Sequence, residues 1–281
     1  MAMVKIVPED AVERLKNEGF LLIQLTEQAR MALASTFEAA YPFFRATLDE
    51  KSSNTLSEDL GYRPKGIEYS QSPERPDPIE SFTADVRTRA VINDLPSARA
   101  RLLYKRMQAT INVLEPIAEA LTMLLADALS VGEIGEKLHG AFRRWSCLQV
   151  NYSQPANTPE AFINELHEDG HLITLSCSDG PGLEVQTRRG DFARITTADD
   201  EILVMPGEIV WLLSGGQIRP LYHQVRRESS CRERLAILFF GDIDPKFCEP
   251  WVKNKVNKGV DIGARVLTNA ARFGLNGFPL E

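Results

Sequence analysis

The pentapeptide HEDGH at residues 167–171 allows two interpretations of its metal chemistry. It matches H-E-x-x-H, the zinc-binding pattern of metalloproteases, in which two histidines lie one helical turn apart. Its first three residues also match H-x-D, which supplies two ligands of an iron site with two histidines and one carboxylate. The chain has only four histidines, so few residues could complete either site.

The residues around this motif favour a strand over a helix. Asp169 and Gly170 are poor helix-interior residues, and the motif runs into LITLSC and the turn signal SDGPG. In a strand, His167 and Asp169 project to the same side while Glu168 faces away. The best third ligand is His223, in the strand-like run RPLYHQVRRE. We therefore predict His167, Asp169 and His223 as catalytic iron ligands. A zinc hydrolase is the remote alternative, and it requires a helix at residues 160–172.

Strand-like runs dominate the chain after about residue 136. Turn signals such as RRGD, MPGE and SGGQ separate about eight of them, and a jelly roll would enclose a ligand between two such sheets. The runs are FRRWSCLQVNY, HLITLSC, LEVQT, FARIT, EILVM, EIVWLL, HQVRR and RLAILFF.

Helical patterns dominate the chain before residue 136. We predict helices at residues 7–20 and in TEQARMALASTFEAAYPFF, a strand at FLLIQL between them, and a polar loop at residues 48–80. A long helix follows at residues 96–129, with a kink or break near Pro116. The last helix surrounds GARVLTNAARFG.

These patterns predict an α+β fold. Its core is a double-stranded β-helix (jelly roll, cupin-like), with N-terminal helices, a long central helix and a C-terminal helix around it. We expect one domain over residues 1–281. A mainly helical part with short strands spans 1–135, the core with the metal site spans 136–245, and a helical tail spans 246–281.

Composition limits the partners. The formal net charge of −7 and the lack of a Lys/Arg cluster argue against nucleic acid. The longest apolar runs fall far short of the ~18 residues that cross a bilayer, and the N-terminus has no apolar secretory core. We therefore expect a cytoplasmic protein that binds a small-molecule substrate and no membrane.

A basic residue opens the last strand-like run. In RERLAILFF, Arg234 shares a face with Ala236, Leu238 and Phe240, so an inward guanidinium would need a partner. A buried ion pair would supply one, and so would a bidentate carboxylate ligand. The hydroxyl of Tyr152 could assist that carboxylate, although Tyr152 could equally be a packed aromatic and Asn151 a turn residue.

These motifs together resemble the isopenicillin N synthase-like family of iron(II)/2-oxoglutarate-dependent oxygenases. HEDGHLITL is similar to the family's "HTD-G-LTLL", VNYSQP to "NYYP-CP", and RLAILFFGDIDP to "R-S-A-F--P". NEGFLLIQL, YPFFRATLDEKS, GYRPKGIEYSQ and MPGEIVWLLSGGQIRPLYHQV also resemble family segments in the family's order.

This resemblance implies Fe(II), 2-oxoglutarate and O2 as cofactors, with release of succinate and CO2. It implies the iron ligands named above, Arg234 as the clamp on the distal carboxylate of 2-oxoglutarate, and Tyr152 and Asn151 beside it. One departure is that the family's R-x-S is Arg234-Leu235-Ala236 here, which lacks the assisting serine. An oxidase of the same fold without 2-oxoglutarate, in which Arg234 holds the substrate, therefore stays open, as does a catalytically silent binding protein.

Substrate contacts would come from the mouth of the jelly roll. Candidates are Arg63, Tyr69, Arg143 and Arg144, together with His171, which shares the His167 face if the motif is extended. An arginine that bound a substrate carboxylate would indicate a small acid.

Overall fold

The computed structural model describes residues 7–57, 59–85, 92–129, 145–154, 161–228 and 231–269. The helices are α1 (Ala11–Asn17), α2 (Glu27–Phe44), α3 (Leu48–Ser52), α4 (Ala98–Ala128), α5 (Glu208–Leu213) and α6 (Ile262–Thr268). The strands are β1 (Leu21–Gln24), β2 (Gly61–Arg63), β3 (Glu80–Asp85), β4 (Cys147–Ser153), β5 (Phe162–His167), β6 (Ile173–Ser178), β7 (Leu183–Gln186), β8 (Phe192–Arg194), β9 (Glu201–Pro206), β10 (His223–Arg226) and β11 (Arg234–Gly241).

The strands form two antiparallel sheets. The major sheet has the order β1-β9-β6-β11-β4-β3-β2, and the minor sheet has the order β5-β10-β7-β8. A cavity lies between them, lined by residues of both. The predicted α+β fold with a double-stranded β-helix core is confirmed. Three strands of the major sheet, β1 to β3, come from the part of the chain before residue 136.

Alternating side chains give the major sheet two different faces. On β11, Leu235, Ile237 and Phe239 are fully buried in the main hydrophobic core, which α2 and α4 share. Arg234, Ala236, Leu238 and Phe240 face the cavity instead. β4 and β3 repeat this division: Leu148, Val150, Tyr152, Phe82 and Ala84 belong to the core, and Cys147, Gln149, Asn151 and Thr83 line the cavity.

Helix α4 runs unbroken from Ala98 to Ala128 with Pro116 inside it. We predicted a kink or break near Pro116, and the break is therefore wrong. Proline removes only one hydrogen bond of the helix. The buried residues on both sides of Pro116 pack into the main core, and this packing stabilises a continuous helix. By length and composition alone α4 could cross a membrane, a test that buried core helices also pass.

Two other expectations differ from the structure. EIVWLL, predicted as a strand, forms helix α5, which buries Ile209, Val210, Leu212 and Leu213. An apolar run this short does not distinguish a strand from a helix by periodicity. The predicted loop at residues 48–80 contains α3 and β2 and includes the first residue of β3. Polar residues are frequent in these elements, so their sequence is similar to that of a loop. In ESFTAD, for example, Phe82 and Ala84 face the core while Thr83 lines the cavity.

A buried ion pair joins α3 to β3 and supplies a test of this packing. The ammonium of Lys51 donates to the carboxylate of Glu80 and to the carbonyl of Phe44, and the Tyr62 hydroxyl donates to Glu80 at 2.8 Å. Lys51→Met should lower the free energy of unfolding by about 3–5 kcal/mol, because it leaves Glu80 buried without a counter-charge. Urea denaturation measures this loss.

The control is the double variant Lys51→Met/Glu80→Gln. It keeps an acceptor for the Tyr62 hydroxyl but removes the unpaired negative charge of Glu80. It should recover most of the lost stability. Equal destabilisation of the single and double variants would contradict this account.

Candidate metal centre and active-site cavity

Three potential metal ligands converge at one end of the minor sheet. His167 ends β5 and pairs in register with His223, which begins β10. Asp169 follows two residues after β5, and its Oδ1 lies 3.8 Å from the Nε2 atom of each histidine. One ligand atom from each residue lies within 4.8 Å of the other two. The structure thus brings together the three residues that the sequence predicted.

Hydrogen bonds orient all three side chains toward a shared point. Nδ1 of His167 lies 2.6 Å from the Glu165 carbonyl, and Nδ1 of His223 lies 3.1 Å from the Leu221 carbonyl. A carbonyl only accepts, so each Nδ1 carries the proton and each Nε2 presents a lone pair. The Thr174 hydroxyl donates to Oδ2 of Asp169 at 2.6 Å. This donor set fits Fe(II) with open coordination positions.

Burial and charge prepare these groups to bind a cation. Burial, and after it the neighbouring His223, holds the pKa of His167 below its usual value, so its imidazole is neutral at neutral pH. Burial alone would raise the pKa of Asp169. Its electrostatic interactions with His223 and His167, and the hydrogen bond from Thr174, outweigh that effect and hold this pKa below its usual value. Metal binding requires neutral imidazoles and an ionised carboxylate.

The start of α5 fixes the backbone of the HEDGH motif. The N–H of Glu208 donates to the Asp169 carbonyl at 2.9 Å, and that of Ile209 donates to the His171 carbonyl at 3.2 Å. A Cβ atom on Gly207 would lie 2.1 Å from the His171 carbonyl oxygen, so this approach requires glycine. Because residues 162–167 form a strand, the helix that a zinc hydrolase needs is absent and that alternative is wrong.

Arg234 lies in the cavity wall, as the strand pattern predicts. It is only 6% exposed, and its Nε donates to the carbonyls of Gly180 and Pro181. Among the described residues, no carboxylate forms an ion pair with its guanidinium, and the charge of Asp179 acts on it only from a greater distance. Burial lowers its pKa to about 10, so it stays charged at neutral pH. A buried cation without a counter-ion is suited to an anionic ligand.

The expectation for Tyr152 is corrected, whereas Asn151 lies where expected. Tyr152 stacks on Phe44 with ring centroids 5.0 Å apart, and its hydroxyl donates to Glu233 at 2.7 Å on the core side of β4. Its neighbours point the other way, because side chains alternate along a strand. Asn151 lines the cavity, and Ser153 pairs in register with Arg234 and borders a small cleft beside it.

Arg63, expected as a substrate contact, supports the cavity wall from behind. Its guanidinium donates to Glu68 at 2.9 Å, Thr83 at 2.7 Å and Gln149 at 2.6 Å. The amide nitrogen of Gln149 then donates to Glu68 and to Asn151. Arg63 is therefore fully engaged and orients the polar groups that line the cavity.

The other expected substrate contacts have different outcomes. Tyr69 and His171 line the cavity. His171 stacks on Phe240 and is bound to Asp242 through Nδ1. Burial lowers its pKa, but the charge of Asp242 and their hydrogen bond outweigh burial and raise it. Arg143 and Arg144 lie outside the described residues.

The cavity has a volume of about 1150 Å³ including its open mouth. Sequence reasoning missed several polar residues that line it, namely Glu68, Asp77, Gln149 and Asn164, and it missed Thr174, which contacts Asp169. The alternation in LQVNYS could have identified Gln149 as a partner of Asn151 on the inner face. Asp77 and Glu68 lie in the loop between β2 and β3, where the spacing of residues does not indicate which way a side chain points. Burial raises the pKa of Asp77 to about 6.

Comparison with known proteins agrees with this geometry. Residues 144–242 match the model of the 2OG-Fe(II) oxygenase superfamily. The fold is similar to that of a full-length Neurospora crassa protein in complex with alpha-KG, with a TM-score of 0.71 and 15% identity over 91% of this chain and 88% of that one. Another structure of the same Neurospora crassa protein contains alpha-KG and thymine.

Two further solved structures share the fold. JOX2, in complex with 2OG, Fe and JA, has a TM-score of 0.67 at 18% identity, covering 84% of this chain and 71% of that one. Arabidopsis thaliana AtDAO1, a dioxygenase for auxin oxidation in complex with 2-oxoglutarate, has a TM-score of 0.64 at 20% identity, covering 83% and 87%. The match of residues 144–242 to the 2OG-Fe(II) oxygenase superfamily model, together with the His-Asp-His site, confirms Fe(II) and 2-oxoglutarate as the predicted cofactors.

Proposed function

We propose that this protein is a non-haem Fe(II)/2-oxoglutarate-dependent dioxygenase that hydroxylates, desaturates or cyclises a small organic molecule, releasing succinate and CO2. The observation that carries this proposal is the convergence of the triad and Arg234 on one cavity. The order of motifs along the chain supports an assignment to the isopenicillin N synthase-like branch. Thymine and JA, bound by the Neurospora crassa protein and by JOX2, are also small molecules.

Each protein group has a defined task in this proposal. His167, Asp169 and His223 hold Fe(II), and Thr174 fixes the orientation of the Asp169 carboxylate. Arg234 would hold the distal carboxylate of 2-oxoglutarate through its guanidinium. Ser153, its cross-strand neighbour, replaces the serine that the R-x-S position lacks.

The iron and 2-oxoglutarate supply the oxidising chemistry when bound, and the protein supplies position and exclusion of water. The loop between β2 and β3 covers part of the cavity through Glu68, Tyr69 and Ser70. Its Arg75 is paired with Glu165 and its Gln71 donates to the Leu166 carbonyl, so the loop is attached to β5 next to His167.

The first test is an anaerobic Fe(II) titration with 2-oxoglutarate, monitored by the weak visible charge-transfer band of an iron-bound keto acid. We expect the band in the wild type. Arg234→Met should lower the affinity for 2-oxoglutarate at least about 30-fold, because losing one partner of a buried charge pair costs about 2 kcal/mol or more. Arg194→Met, which removes an exposed arginine outside the cavity, is the matched control.

The same titration separates the alternatives. Iron binding without the band would favour the oxidase that does not use 2-oxoglutarate, with Arg234 bound to the substrate. Asp169→Ala should abolish turnover while leaving the fold largely intact, and unchanged activity would disprove the triad assignment.

Thr174 offers an independent test of how the metal ligands are held. Thr174→Val keeps the shape of the side chain but removes the hydrogen bond to Asp169. It should weaken Fe(II) binding about 10–100-fold, as loss of a partner of a metal ligand typically does. Competition with a chelator measures this, with Thr122→Val, a buried threonine of α4, as the control. Equal iron affinity in both variants would show that the hydrogen bond does not matter.

A further inference from the structure

We propose that the substrate of this cavity carries a protonated amine or amidine nitrogen, and that Asp77 is the residue that binds it. The inference rests on the proposed function, because it names the substrate class of the same site. It adds a specificity residue that none of the sequence motifs indicated.

Asp77 is held at the cavity wall between two structural elements. It lies in the loop between β2 and β3 and is only 5% exposed. Its Oδ2 accepts hydrogen bonds from the Ser70 hydroxyl at 2.7 Å and from the Asn164 amide at 2.9 Å. Oδ1 has no hydrogen-bond partner among the described residues. Asn164 belongs to β5, the strand that ends at His167, so Asp77 lies on the same side of the cavity as the metal ligands. The nearby imidazole of His167 is neutral.

The carboxylate of Asp77 has no ion pair among the described residues, and His167 affects its pKa only from beyond ion-pairing distance. Among the described residues, no lysine, arginine or histidine lies within ion-pairing distance of its carboxylate. The other buried carboxylates around the cavity have cationic neighbours: Glu68 is paired with Arg63, and Asp242 with His171. Burying a carboxylate without a counter-charge destabilises a protein. A cationic ligand would remove that cost and form a charge-assisted hydrogen bond with Oδ1.

The remaining lining agrees with a cationic substrate and disfavours an acidic one. Among the described residues, Arg234 is the only arginine that lines the cavity, and its guanidinium would be bound to 2-oxoglutarate. Arg63 cannot serve a substrate carboxylate, because Glu68 and two other acceptors occupy its guanidinium. Apolar and aromatic lining is available for the carbon skeleton, from Leu60, Tyr69, Ile79, Leu238 and Phe240. Tyr69 could also contact a cation through its ring face.

Matched pairs of small molecules test this inference. The pairs are benzylamine and benzoate, phenethylamine and phenylacetate, and cyclohexylmethylamine and cyclohexanecarboxylate. Each is titrated calorimetrically, under argon, into enzyme loaded with Fe(II) and saturating 2-oxoglutarate. We expect the amine of at least one pair to bind at least about tenfold more tightly than its carboxylate, the factor expected for one charge-assisted hydrogen bond.

Two variants connect that preference to one residue. Asp77→Asn should reduce amine affinity at least about tenfold, whereas Glu74→Gln, which removes an exposed carboxylate of the same loop, should leave it unchanged. The melting temperature of unliganded Asp77→Asn should equal or exceed that of the wild type, because the substitution removes an uncompensated buried charge.

The outcomes are distinguishable from a failure of the proposed function. Three results would overturn the inference: tighter binding of the carboxylates, no binding of any amine, or amine binding that persists in Asp77→Asn. The third result would indicate that the amine coordinates the metal instead. Each of these leaves the iron and 2-oxoglutarate band intact. Loss of that band in the wild type would overturn the proposed function itself.

Discussion

Strand β11 lies between β4 and β6 at the centre of the major sheet, and the alternation of its side chains separates two environments. Leu235, Ile237 and Phe239 belong to the main core, which holds the sheet against α2 and α4. Their neighbours in sequence necessarily face the other way, which places Arg234 in the cavity. Shifting the register by one residue would exchange the two faces. The core that stabilises the fold therefore also fixes where the guanidinium lies.

The polar groups of the cavity fall into two classes. Most are satisfied within the protein: Arg63, Gln149 and Glu68 form a continuous hydrogen-bonded network behind the wall, and such networks are rigid when every member has a partner. Arg234 and Asp77 are buried and form no ion pair with any described residue. Unpaired buried charges of opposite sign in one cavity are costly to the fold, and functional sites are where such costs are typically retained.

Sequence reasoning succeeded where a pattern had one structural meaning. Asp169 and Gly170 disfavour a helix, and the structure has none there, so the convergence with His223 followed. Only His167 of the motif lies in a strand, however, because residues 168–172 form the turn between β5 and β6. It failed at Tyr152, because the family resemblance indicated a tyrosine at this position without regard to the direction of its side chain. The alternation along β4 turns Tyr152 to the core and turns Asn151 and Ser153 to the face that carries Arg234. It also failed at EIVWLL, where a six-residue apolar run fits either period. Asp77 could not have been found, because loop residues gain their neighbours only through tertiary structure.

The serine that the R-x-S motif lacks has a structural counterpart on the neighbouring strand. A serine two positions after an arginine on one strand lies on the same face as that arginine. The position directly opposite the arginine on the adjacent strand is also on that face, at a Cβ separation of about 5 Å. In this chain the first position is Ala236, and the second, opposite Arg234, is Ser153. The sheet register therefore makes a hydroxyl available beside the guanidinium although the linear motif lacks one.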